Sequence, residues 1–104
     1  MLYAPPGSPS AKLTYKPRYD NFIGGKFVAP VKGGYFDVLT PITGKPYTQA
    51  ARSTAEDIEL ALDAAHAASA KWGRTPAAER ANILLRIADR IEQNLELLAY
   101  AETV

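Results

Sequence analysis

A chain of 104 residues holds one domain at most, and its 47% apolar and 22% charged content is ordinary for a globular protein. The absence of cysteine excludes disulfides, thiolate metal sites and a cysteine nucleophile, and no run approaches the ~20 apolar residues that span a bilayer. The net charge of +1 is unevenly spread, +4 over residues 1–35 and −3 over residues 36–104. The five positive side chains of the first part are too dispersed to form the basic stripe of a nucleic-acid binder, so no nucleic-acid partner is expected.

Fully compact, a chain of this size buries about 65% of the surface its unfolded form exposes, enough for a modest core. The opening MLYAPPGSPS has no apolar run of the secretory type, so a cytoplasmic setting is expected. Residues 1–18 contain Pro5, Pro6, Pro9 and Pro17. Proline fixes φ and removes a backbone donor, so this segment reads as an extended arm.

From Tyr19 the pattern changes. Asn21-Phe22-Ile23 and Lys26-Phe27-Val28 flank Gly24-Gly25, and two glycines supply the two positive φ angles that a type I′ hairpin turn requires. The pair lacks the spacing of a phosphate-binding loop. A turn at Lys32-Gly33-Gly34 leads into a strand over Tyr35–Thr40. Breakers at Pro41, Gly44 and Pro46 form a loop, and Tyr47–Arg52 is a further extended run. Such short strands without a large apolar face are marginal alone and need something to pack on.

Ser53-x-x-Glu56 has the form of a capping box. In the helix that follows, Ile58, Ala61, Leu62, Ala65, Ala68 and Trp72 recur at steps of three and four and share one face. Glu56, Asp57, Glu59 and Asp63 are explained as cap, dipole partners and solvated face rather than as acid–base or metal chemistry. His66, the single histidine, lies at the margin of the stripe and reads as a boundary residue. Trp72 reads as a packing anchor.

Gly73 is a natural helix stop, and Thr75-Pro76 a natural restart with Thr as cap and Pro at the first helical position. The second stripe runs through Leu84, Ile87, Ala88, Ile91, Leu95 and Leu98, with a break expected at Asn94, a residue that tolerates left-handed backbone. Two stripes joined by so short a connection are expected to face each other. The fold class is therefore α+β: short antiparallel strands over about residues 20–52, then an amphipathic helical hairpin over about 54–72 and 76–102. The chain ends at Val104 inside a helical pattern, which reads as truncation.

Several segments, in order and spacing, resemble the N-terminal part of the NAD(P)-dependent aldehyde dehydrogenase superfamily. They are Asn21-Phe22-Ile23-Gly24-Gly25-Lys26-Phe27-Val28, Pro41-x-Thr43-Gly44, and Thr54-Ala55-Glu56-Asp57-Ile58 with the Ala-rich helix ending at Trp72. The match continues through Glu79-Arg80-x-x-Ile83-Leu84, Ala88-Asp89-x-Ile91-Glu92-x-Asn94 and Leu98-Ala99-x-x-Glu102. The arm and Pro30–Phe36 look closest to bacterial acetaldehyde or general aldehyde dehydrogenases.

The resemblance implies that residues 19–104 are the N-terminal part of a truncated cofactor-binding domain. It also implies that the partner is the remainder of the enzyme chain or another subunit. Family chemistry uses a cysteine that attacks the aldehyde, hydride transfer to NAD(P) and a glutamate-activated water. The cysteine is absent, and the other catalytic and cofactor positions fall beyond Val104. No catalytic, cofactor-binding or metal residue is therefore assigned, NAD(P) is implied only for a full-length member, and the isolated chain is expected to be inactive. In some relatives, main-chain oxygens near the segment matching Val38-Leu39 help to hold a monovalent cation, but without the other ligands no site is assigned. The alternatives are a non-catalytic binding module using the helical hairpin, or the product of a truncated gene.

Overall fold

The computed structural model describes residues 3–104. The glycine pair turns as its chemistry requires. Gly24 and Gly25 have φ of 62° and 83° and join β1 (Asn21–Ile23) to β2 (Lys26–Val28), with Phe22 opposite Phe27. The two phenyl rings meet edge to face at 5.1 Å, yet both remain more than 60% exposed. β3 (Tyr35–Leu39) and β4 (Pro46–Ala51) form a second antiparallel pair, from Tyr35 opposite Ala51 to Leu39 opposite Pro46. Its register shifts between Val38 and Leu39. The Pro41–Gly44 loop is closed by the Gly44 N–H on the Thr40 carbonyl at 2.8 Å, and Thr40 is buried beneath it. The two pairs are separate two-stranded sheets.

Three helices follow: α1 (Ala55–Arg74), α2 (Ala77–Gln93) and α3 (Leu95–Thr103). The α1 cap lies one residue later than the Ser53-x-x-Glu56 pattern indicates. Thr54 is the N-cap, and its N–H donates to Asp57 Oδ2 at 2.8 Å. Asp57 Oδ1 also accepts the Val31 N–H at 2.9 Å. That second donor, from a distant loop, selects the register, because it gives the Asp57 carboxylate two backbone partners. Ser53 instead accepts from Asn21 Nδ2 at 2.8 Å, and Glu56 pairs with Lys32 at 3.9 Å.

The junction between α1 and α2 also differs from expectation. Gly73 does not stop α1, and Thr75 closes that helix rather than opening the next. A residue before proline is pushed towards extended backbone, and Thr75, at φ −65° and ψ 128°, sits there. Pro76 is then the N-cap of α2 and not its first helical residue. The expected break at Asn94 is present, but its φ is −118°, so no left-handed residue makes it. The Asn94 amide turns back to the Arg90 carbonyl at 2.8 Å and competes with the helical ladder.

The order of strands and helices follows the sequence pattern; the packing of the helices does not. α1 rests against β1 and α2 against α3, but the stripes of α1 and α2 do not close on each other. Ile58, Leu84, Ile87 and Leu95 are all at least half exposed, and Trp72, read as an anchor, is 47% exposed. The chain consequently lacks the modest core that its length allows. Its radius of gyration is 17.4 Å, where a compact chain of this length has about 13 Å. Its accessible surface is 7962 Å², where a compact monomer of this mass exposes roughly 5,700 Å². Among the described residues the buried apolar side chains are Tyr100 and Val104, at the end of α3, and Pro30, in the loop after β2.

Candidate functional site

A broad, open concave surface lies between α2 and α3. Ile83, Ile87 and Ile91 from α2 and Leu97 and Leu98 from α3 line it, and Leu13 from the arm forms one wall. The groove encloses about 930 Å³ and is flanked by Arg86 and Arg90. It lies at the break that Asn94 makes between the two helices, and Asn94 itself is part of its lining. Neither arginine has a salt-bridge partner among the described residues. The surface combines apolar side chains with the charged groups of Arg86, Asp89 and Arg90.

A second hollow, of about 670 Å³, forms where the Gly24-Gly25 turn faces the small side chains of α1, including Ala61, Ala65 and Ala68. Alanine at these positions lets the hairpin approach the helix closely. Neither feature offers a phosphate cradle. The glycine turn joins strand to strand instead of strand to helix. The N-terminus of α1 already holds the Asp57 carboxylate, whose two backbone hydrogen bonds keep its pKa below the ordinary 3.8. An incoming phosphate would meet that negative charge.

The chemistry-bearing residues singled out in the sequence are not brought together. Glu56, Glu59, Asp63 and His66 lie exposed along α1, and Asp57 alone is buried, as a cap partner. Among the described residues no three His, Cys, Asp or Glu side chains converge as a metal site would require, and no helix is long and apolar enough to cross a membrane.

The periodic reading missed the arm's docking site. Tyr3 packs edge to face on Tyr100 at 5.3 Å, and the Tyr100 hydroxyl donates to the Ala4 carbonyl at 2.9 Å. Glu96 accepts from the Tyr3 hydroxyl at 3.3 Å and pairs with Lys12 at 3.6 Å. Burial, and secondarily Glu96, raises the Tyr3 pKa. Tyr100 lies off the Leu84–Leu98 stripe, so periodicity does not single it out. The available signal was compositional, an aromatic near each end of the chain.

A sequence profile of the aldehyde dehydrogenase family matches residues 27–104. An aldehyde dehydrogenase of Deinococcus radiodurans is 68% identical over 101 residues, which are 97% of this chain and 20% of that protein. An acetaldehyde dehydrogenase of Pseudomonas aeruginosa is 65% identical over 103 residues, 99% of this chain and 20% of that protein. Among solved structures, PnpE in complex with nicotinamide adenine dinucleotide superposes with a TM-score of 0.79 at 42% identity. The match covers 82% of this chain and 18% of PnpE. The chain thus spans about a fifth of the length of the curated relatives it matches.

Proposed function

The chain belongs to the aldehyde dehydrogenase family, and from that premise we propose that it is the N-terminal portion of an NAD(P)-dependent enzyme that oxidises aldehydes to carboxylic acids. The observation that carries this reading is the uncovered apolar surface of α1, α2 and α3, in a chain whose relatives are about five times as long. Ile58, Leu62, Trp72, Leu84, Ile87, Ile91, Leu95 and Leu98 are all more than 40% exposed along the three helices, and large uncovered apolar faces mark interaction surfaces. On this reading the surface is covered by the remainder of the enzyme chain or by another subunit, and the role of these residues is architectural. The sequence supplies no cysteine, so the nucleophile belongs to another part of the enzyme, and the 104-residue chain alone has no dehydrogenase activity. NAD(P) is supported by the nicotinamide dinucleotide in PnpE. A cytoplasmic setting goes with this reading, in which the full enzyme uses a reduced thiol as its nucleophile.

Co-expression tests the proposal. The chain is produced together with the remaining four fifths of the Deinococcus radiodurans relative, and aldehyde-dependent reduction of NAD or NADP is measured. That relative's own first fifth, paired with the same remainder, is the reference. The expected outcome is turnover from the mixed pair and none from the chain alone. Turnover from the reference pair but not from the mixed pair would overturn the reading, as would NADH or NADPH formed by the chain alone.

A further inference from the structure

The arm does more than cover the end of α3. β3 and β4 pair with each other, and neither makes more than a glancing contact with α2 or α3. The polar links between these halves run through the arm. At one end the Tyr19 N–H donates to the Gln49 carbonyl at 2.8 Å, Thr48 Oγ1 to the Lys16 carbonyl at 2.7 Å, and the Gln49 N–H to the Pro17 carbonyl at 3.2 Å. Tyr15 packs edge to face on Tyr47 at 4.8 Å. At the other end Tyr3, Ala4 and Lys12 hold Tyr100 and Glu96. Between them the chain turns twice, with the Ser8 N–H on the Pro5 carbonyl at 3.2 Å and the Ala11 N–H on the Ser8 carbonyl at 3.1 Å. Proline at positions 5, 6 and 9 lowers the entropy lost on docking.

We propose that residues 3–19 are a conformational strap that ties α3 to the β3–β4 pair and, by seating Leu13, sets the wall of the α2–α3 groove. Docking of the strap and the shape of the groove are then one equilibrium. With the strap down, Tyr100 is buried, Glu96 is engaged twice and Leu13 lines the groove together with Ile87 and Leu98. With it lifted, α3 keeps only α2 as a neighbour and the groove loses a side. The strap stands independently of whether the remainder of an enzyme covers the groove, so its failure and that of the proposed function are distinguishable.

The Lys12–Glu96 pair allows a direct test on the unaltered chain. A water-soluble carbodiimide activates the Glu96 carboxylate, and the Lys12 amine displaces the resulting urea to form an amide. Mass spectrometry of the digest reads this bond, and hydrogen exchange then compares the coupled and uncoupled chains. The expected result is a Lys12–Glu96 bond within one chain and about tenfold slower exchange over Leu98–Val104, with α1 unchanged. Tyr3→Ala is expected to reduce the coupling yield severalfold, since it removes the ring that seats the arm. A missing Lys12–Glu96 bond overturns the proposal, and so does a bond that leaves exchange in α3 unaltered or slows α1 equally.

Discussion

The stripe of α2 and the end of α3 make an instructive pair. α2 has the stronger amphipathic pattern, yet Leu84, Ile87 and Ile91 are 65%, 50% and 49% exposed. α3 is short and its pattern is weaker, yet Tyr100 is fully buried. The difference lies in what each face meets. The arm lies over Tyr100, whereas the described residues leave the α2 stripe about half exposed or more. Periodicity shows which side chains share a face; whether the face is buried depends on a second surface being present.

Replacing Tyr100 with Ala gives the largest expected effect on this contrast. Removing a fully buried aromatic costs about 3–4 kcal/mol, and the arm loses both its ring contact and its hydroxyl donor. Urea unfolding and exchange in α3 measure it. A loss below about 1 kcal/mol would mean that the arm-covered end is no better packed than the open stripe.

Asp57→Ala is expected to have a smaller and more local effect. It leaves the Val31 and Thr54 N–H groups without their acceptor and loosens the first turn of α1, read as faster exchange there and a lower Tm. The same carboxylate predicts a pH dependence. Its folded pKa is depressed, so its stabilising contribution is present above the ordinary 3.8 and is lost as pH falls through the lower folded value. Acid titration of Asp57→Ala should lack that component, while Tyr100→Ala should keep it.

Leu84→Ser sharpens the comparison from the other side. At an exposed position the isolated chain should change by no more than about 0.5 kcal/mol. In the co-expressed assembly the same substitution should weaken association by about 2 kcal/mol, because there the side chain becomes buried. Equal effects in the isolated and assembled states would show that this stripe is not an assembly surface.

Local sequence determined the elements whose causes are local. Gly24-Gly25 dictated the β1–β2 turn because two adjacent residues needed positive φ. Pro41, Gly44 and Pro46 bounded the loop between β3 and β4, and spacing of three and four marked the helices. The order of these elements, matched to a family pattern over residues 19–104, was also legible without coordinates. Tertiary structure decided the rest. Whether Ser53 or Thr54 capped α1 depended on Val31, which lies 26 residues from Asp57. That Tyr100 rather than Trp72 became the buried aromatic depended on an arm arriving from the other end of the chain. Hydrophobic burial is a property of two surfaces, and a one-dimensional pattern describes only one of them.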